Sequence, residues 1–314
     1  MGARKFRQEQ NMTKLYGGME GGGTKFVCVI ASDPQNIVDE IRFPTTTPEE
    51  TLARAMAFFQ KYQGRLAGIG LAPFGPLDVN EDSPTYGRVC PTPKPGWSRA
   101  DILGPFKKFG LPLTFDLDVN AAAFGEWYWV DGNRRCDPLV YYTIGTGIGA
   151  GILINNRLVH GMLHPEAGHM RLPRPASDAA FEGTCPFHKD CFEGLACGPA
   201  MRARWGQSAE SLPADHPAWE LEAEYIALAM TNTLLMLSPQ RVVLGGGVME
   251  HPGMLARVRK RTYELLNDYV QPIRRPEQID EILVPPALGG RSGILGAVAM
   301  VKVQAEYGRA KSAS

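Results

Sequence analysis

No run of this chain approaches the ~20 consecutive apolar residues that a membrane-spanning helix needs, and its opening, Met1 to Lys14, is polar and basic without an apolar centre. Neither a span nor a signal peptide is expected, and residues 1–15 read as a disordered tail. An excess of one charge is missing as well, since 33 Lys and Arg are matched by 33 Asp and Glu spread along the sequence. That removes the electrostatic footprint of a nucleic-acid binder and favours small neutral or phosphorylated ligands. Cysteine is scarce: Cys28, Cys90, Cys136 and Cys197 fall at no framework spacing, so a disulfide-built secreted fold is excluded and the cytoplasm is the expected compartment.

What the chain does have is glycine at the ends of apolar runs. Tyr16-Gly17-Gly18-Met19-Glu20-Gly21-Gly22-Gly23-Thr24-Lys25 leads into Phe26 to Ile30. It nearly spells a Walker A loop, but Thr24 and Lys25 stand in the wrong order and a strand follows, so it is no P-loop. Glycine reaches φ > 0 and has no Cβ; such a turn either brings amides to a phosphate or is an ordinary hairpin. Leu139 to Ile144, a turn from Gly145 through Thr146 and Gly147 to Gly151, and Ile152 to Asn156 echo the pattern, with no helix opening after the glycines as a dinucleotide fingerprint would require. A third strand, Arg241 to Leu244, runs into Gly245-Gly246-Gly247, where backbone either lies against a nucleobase or ribose or leaves the sheet tightly.

Between these lie a strand at Ile37 to Phe43, a capping box at Thr47-Pro48-Glu49-Glu50 that opens a helix, and a buried strand at Ala67 to Leu71. Helices are expected at Pro199 to Gly206, Trp219 to Leu237 and Gly253 to Tyr269, followed by a charged loop, a strand at Ile282 to Val284, and a last helix from Ser292 that gives way to a polar tail at Gly308. At 314 residues the chain exceeds one core, so two lobes are expected, and a cleft between lobes is a natural ligand site.

Three segments carry chemistry. Leu113 to Leu117 reads as a strand that breaks into an Ala-rich helix at Asp118; a carboxylate at such a junction caps the helix or serves as a general base, and Asp118 is better placed than Asp116, still within the strand run. The Pro- and Gly-rich loop from Phe74 to Trp97 is too long to be mere connection and lines a pocket; Trp97 either stacks on the apolar face of a sugar or packs in its own lobe. Cys185, His188 and Cys191 recur every third residue, and His169 can supply a fourth ligand. Thiolate and imidazole together suit tetrahedral zinc, and four protein ligands leave no vacancy, which makes a structural staple; the alternative is buried or disulfide-bonded cysteines with incidental histidines. His164, beside Pro165, reads as a satisfied loop histidine.

Together these residues resemble the sugar-kinase branch of the actin-like ATPases and, more narrowly, the ROK family, within it the bacterial zinc-containing fructokinases. The resemblance rests on Glu20 to Lys25, Asp118-Val119-Asn120, Gly145 to Gly149, Glu166-x-Gly168-His169, the cysteine cluster ending in Glu193, and Gly245 to Gly247. It implies an α/β fold of two RNase H-like lobes with a structural zinc-binding loop. The small lobe would span 16–117 with the helix 292–307 returning to it, and the large lobe 118–291 with a zinc-binding insertion at 164–199.

The resemblance also implies an ATP- and Mg²⁺-dependent hexose kinase acting on a 6-hydroxyl, with fructose ahead of mannose or glucose. Asp118 is then the base. Gly75, Pro76, Lys94, Gly96, Trp97, Asn120, Glu166, His169 and Glu193 line the sugar side; Glu20 sits near the metal; Gly22, Gly23, Thr24, Lys25, Gly145, Thr146, Gly147 and Gly245 to Gly247 serve the nucleotide. His169, Cys185, His188 and Cys191 bind zinc, and a cytoplasmic homodimer is the family habit. Glu20 stands where the family usually has Asp, and Leu117 where glucokinases show Asn, so a glucokinase-type pocket is not expected. Too few residues precede Gly17 for the helix-turn-helix of the family's repressors; a zinc-stapled sugar-binding protein without catalysis is the remaining rival.

Overall fold

In the computed structural model, residues 14–130 and 133–312 are described, so the expected tail lies outside them up to residue 13. The chain forms two compact units, one of residues up to Gly125 together with those from Gly293, the other Glu126–Ser292.

The first unit is built on β1 (Leu15–Gly21), β2 (Lys25–Asp33), β3 (Asn36–Pro44), β4 (Leu66–Pro73) and β5 (Leu113–Phe115), in the order β3-β2-β1-β4-β5. β1 pairs antiparallel with β2 and parallel with β4, which pairs parallel with β5. Gly21 lies opposite Pro73, and Leu71 opposite Phe115, so the β1–β2 turn, the loop after β4 and the residues after β5 all leave one edge of the sheet. Thr47 caps α1 (Pro48–Gln60) by accepting the Glu50 N–H at 3.3 Å, and the helix buries Leu52, Phe58 and Phe59 against the sheet core of Phe26, Ile69 and Leu71. α2 (Asp118–Trp129) follows β5.

The second unit repeats this order with β6 (Leu139–Ile144), β7 (Ile148–Ile154), β8 (Arg157–Leu158), β9 (Arg241–Gly245) and β10 (Leu283–Val284), arranged β10-β9-β6-β7-β8. β9 runs parallel to β6 with Gly245 opposite Thr143, which puts the two glycine exits side by side. Its helices are α3 (Phe192–Ala196), α4 (Gly198–Trp205), α5 (Ala218–Leu237), α6 (Met254–Leu266) and α7 (Pro276–Ile282), and α8 (Ser292–Ser312) leads the chain back to the first unit. Among the described residues no helix is long and apolar enough to cross a membrane, and no disulfide links the six cysteines.

Several boundaries differ from the sequence expectation. The second glycine turn is only Gly145 to Gly147, because Gly149, Ala150 and Gly151 pair with Thr143, Tyr142 and Tyr141 as part of β7. The charged stretch before β10 is α7, held by Pro276 in its first turn and a Gln278 side chain that accepts the Arg275 N–H at 2.9 Å; it buries only Ile279, too little periodicity to announce a helix. β1 already begins at Leu15, and the helical backbone of α8 continues to Ser312 rather than ending at residue 307.

α8 approaches the first unit at backbone range. A Cβ on Gly296 would stand 1.7 Å from the Ala121 carbonyl oxygen, and one on Gly70 1.9 Å from that of Ala297. Gly296→Ala should therefore cost roughly 2–3 kcal/mol through forced separation of α8 and α2, whereas Gly290→Ala, whose Cβ would meet nothing within 4 Å, should change stability by under about 0.5 kcal/mol. Urea unfolding of both variants checks this.

Candidate active site

In open α/β sheets ligands gather at the carboxyl ends of the strands. In the first unit that edge carries Glu20 near the end of β1, the turn Gly22-Gly23-Thr24, and Asp116 to Asp118 after β5. Asp118, half-buried, opens α2 and accepts the Val119 N–H at 2.8 Å. Asp116 is buried, and its Oδ1 accepts the Leu117 N–H at 2.8 Å and the Asn120 amide at 2.7 Å, bracing the bend that leads to Asp118. Burial pushes the Glu20 carboxyl above its ordinary range, against the pull of Lys25 and of the Ile294 amide. Gly293 packs close beside it: a Cβ there would lie 2.7 Å from the Glu20 carboxyl carbon and displace the carboxylate.

Two sugar-side expectations are corrected here. Asn120 is 1% exposed and donates its amide to Asp116, so it braces the turn at Asp118 rather than facing a ligand. Trp97 is 0% exposed, its ring against Phe26 and Phe74 with centroids 5.6 and 5.0 Å away and its Nε1 donating to the Thr46 carbonyl at 2.9 Å; no face is left for a sugar. Gly75 and Pro76 are half-buried in the loop after β4. Gly96 opens instead on a 430 Å³ hollow against Pro48 and Leu52 of α1. Lys94 reaches the β1–β2 turn, donating to the Gly23 carbonyl at 2.5 Å.

In the second unit the paired exits Gly145-Thr146-Gly147 and Gly245-Gly246-Gly247 meet a cavity of about 690 Å³, within the range of small-molecule sites. Gly145, Thr146, Gly198 and Gly247 line it, and His251, stacked on the buried Trp219 ring at 3.6 Å and 10°, forms a flat aromatic wall. Gly246 has φ +93° and a Cβ there would strike the Ile144 backbone at 2.3 Å, so only glycine fits. Burial, with Arg257, holds His251 below its usual range and therefore neutral at pH 7. Arg202, Ser208, Glu210 and Glu250 complete the lining. None was singled out from the sequence; they come from helices and turns whose approach to the glycines depends on the chain path.

The Cys/His cluster lies in the same unit. One ligand atom from each of His169, Cys185, His188 and Cys191 lies within 4.8 Å of all the others. Cys185 Sγ is 3.7 Å from His169 Nδ1 and 3.8 Å from His188 Nδ1, and Cys191 Sγ is 3.5 Å from His169 Nδ1. A tetrahedral zinc with bonds of ~2.0–2.3 Å sets neighbouring ligand atoms roughly 3.3–3.8 Å apart, so the residues fit the ion. Burial, with Cys185 beside it, pushes the Cys191 thiol up to about 11, a penalty that a bound cation reverses.

Around the cluster the carboxylates are shared. Glu166 Oε1 is 3.3 Å from Nδ1 of the buried His164, and Oε2 is 4.0 Å from His169 Nε2. Desolvation, then the charge of Glu193, pushes Glu166 up to about 7. Glu193 Oε2 in turn accepts the Ile148 N–H at 2.9 Å, against Gly147, where a Cβ would lie 2.8 Å from it. The Cys/His loop is thereby fastened to the glycine exit of β6.

Comparison with known proteins matches residues 16–304 to the ROK family. The chain belongs to it. The fructokinase of Streptococcus mutans is 44% identical over 294 residues, 93% of this chain and 98% of that protein. The fructokinase of Zymomonas mobilis is 42% identical over 298 residues, 93% of this chain and 97% of that protein. Among solved structures, a ROK family glucokinase from Streptomyces griseus in complex with glucose and AMPPNP superposes with a TM-score of 0.70 over 92% of this chain and 99% of that one, at 22% identity. At that identity it bears on the fold alone, and both lobes of this ROK chain share it.

The metal centre is open to direct measurement. Elemental analysis of the purified protein should find zinc at about one ion per chain, and Cys185→Ser or His188→Ala should abolish it. Stripping the metal with a chelator should lower the melting temperature by roughly 5 °C or more; full retention of stability after metal removal would rule out a staple.

Proposed function

We propose that this chain is an ATP- and Mg²⁺-dependent hexose kinase that phosphorylates the 6-hydroxyl of D-fructose to fructose 6-phosphate. The observation that carries the reading is Asp118, an acid at the carboxyl edge of its sheet whose approach is fixed by the Asp116–Asn120 brace. Asp118 accepts the proton of the sugar hydroxyl as its oxygen attacks the γ-phosphorus and ADP leaves. Positioning and charge neutralisation supply the rest of the rate, through backbone amides at the glycine exits.

The cavity beside Gly145 and Gly247 suits the nucleotide, whose base would lie towards the neutral His251 wall. Glu20, desolvated on the same sheet edge as Asp118, is the acid suited to hold Mg²⁺, which would supply charge neutralisation to the phosphates. Glu166, His169 and Glu193 take the sugar side, and His169, Cys185, His188 and Cys191 would hold a structural zinc that fixes the His169 ring.

Fructose is favoured as acceptor by relatives named fructokinase at 42–44% identity across nearly the whole chain. Leu117 agrees with it: the residue before the base is buried in the apolar core and offers no hydrogen bond to a sugar hydroxyl. Free thiols throughout fit the cytoplasm, and a homodimer is the assembly expected with this family.

ADP release from MgATP with fructose, mannose, glucose and N-acetylmannosamine tests the proposal, with Asp118→Asn in parallel. Turnover is expected with fructose foremost, and the variant should lose roughly 10²–10⁴-fold in kcat while keeping its affinity for fructose. Absence of turnover with every sugar would sink the kinase reading; preference for glucose would sink the acceptor.

A further inference from the structure

The tip of the β1–β2 hairpin has its carbonyls gripped one by one. The Gly22 N–H closes the turn on the Lys25 carbonyl at 2.8 Å. The other three carbonyls are held from outside the hairpin: Thr45 Oγ1 donates to Gly22 O at 2.8 Å, the Thr45 N–H to Thr24 O at 3.0 Å, and the Lys94 ammonium, from 71 residues away, to Gly23 O at 2.5 Å. In a trans peptide the C=O and the following N–H point to opposite sides, and these peptides are trans. Holding Gly22 O therefore turns the Gly23 N–H the other way, and holding Gly23 O does the same for the Thr24 N–H. Neither amide has a partner among the described residues, and a Cβ on Gly23 would meet nothing within 4 Å.

The grip is itself built in. Lys94 sits on a turn whose carbonyl accepts the Trp97 N–H at 3.2 Å, and the Trp97 ring, locked against Phe26 just after the hairpin tip, donates to Thr46 O. Thr45 and Thr46, adjacent at the exit of β3, thus hold the hairpin and the lysine loop together.

We infer that Thr45 and Lys94 are positioning residues for phosphoryl transfer, drawing the turn's carbonyls back so that the Gly23 and Thr24 amides face the phosphates. This rests on the kinase reading for the identity of the anion, not for the peptide geometry. Lys94 accordingly acts on the phosphate side of the reaction rather than as a sugar contact.

The test uses Thr45→Val and Lys94→Met, with Thr45→Ser and Lys94→Arg restoring a donor. Calorimetry gives the Kd of each for MgATP, for inorganic pyrophosphate and, separately, for fructose; steady-state assays give kcat and KM. Thr45→Val and Lys94→Met should weaken MgATP and pyrophosphate ~10-fold or more and lower kcat/KM for ATP in proportion, while the fructose Kd stays within about twofold. The Ser and Arg variants should recover most of the loss. Lys94→Met that weakens fructose and spares pyrophosphate overturns the inference, as does lower thermal stability in both variants with phosphate affinity intact. Should Thr45→Val not fold, Lys94→Met decides alone, since it leaves both Thr45 hydrogen bonds in place. A wild-type protein that binds pyrophosphate in this Lys94-dependent way yet phosphorylates no sugar would refute the kinase reading and leave this inference standing.

Discussion

A backbone amide is held in one direction when the neighbouring carbonyls are hydrogen-bonded elsewhere, and the glycine turns of both sheets meet that condition. Strand exits without long side chains let the phosphate approach, but a bare glycine turn is free to rotate its peptides. In the second unit the rotation is stopped by the chain closing on itself: the Gly145 N–H meets Gly147 O at 2.9 Å, and the Gly198 N–H meets Gly145 O at 2.7 Å. In the first it is stopped by Thr45 and Lys94. Preorganisation of this kind costs nothing at the moment of reaction, which is why fixed dipoles outperform flexible side chains for charge that moves.

The Cys/His loop answers the same problem on a longer scale. From Val159 to Cys191 the chain holds no helix longer than a three-residue turn, too little regular structure to place Glu166 and His169 by itself. Four side chains drawn to one point close that segment, and Glu193, in the first turn of α3, fastens it to the Ile148 amide at the glycine exit of β6. Arg171 tightens the arrangement, donating to His188 O at 2.8 Å while meeting Asp190 at 2.6 Å. The Cys/His cluster and the glycine exit of β6 are thus joined through one carboxylate, that of Glu193.

How much of this was legible in the sequence depended on range. Glycine at strand exits, the Thr47 cap and the Cys-x-x-His-x-x-Cys spacing are local patterns whose physics is complete within ten residues, and they reappear in the structure at the expected places. Trp97 and Asn120 were misassigned because their exposure is set by partners far along the chain or by a rotamer: Phe26 claims the indole, and Asp116 claims the amide. The wall of the cavity beside the glycine exits was invisible for the same reason, since Arg202, Glu210 and His251 acquire meaning only once β6 and β9 lie side by side. Lys94 was noticed but given to the sugar; nothing in its neighbours' identities reveals that the carbonyl it meets belongs to Gly23.

One sheet order occurs twice, yet the two carboxyl edges have diverged in kind. The first edge carries ionisable side chains: Glu20, raised by burial, and Asp118, presented by its brace. The second carries almost bare backbone, with Thr146 between glycines and Gly246 at a φ that no other residue adopts comfortably. Proton transfer needs a titratable atom held at one place, whereas a nucleotide needs room and many weak, fixed donors. The two edges differ in what they can offer: the first joins carboxylates to a glycine turn, the second is nearly all backbone, with no carboxylate at its strand exits. On this argument the residues that distinguish the copies, rather than those they share, set the reaction.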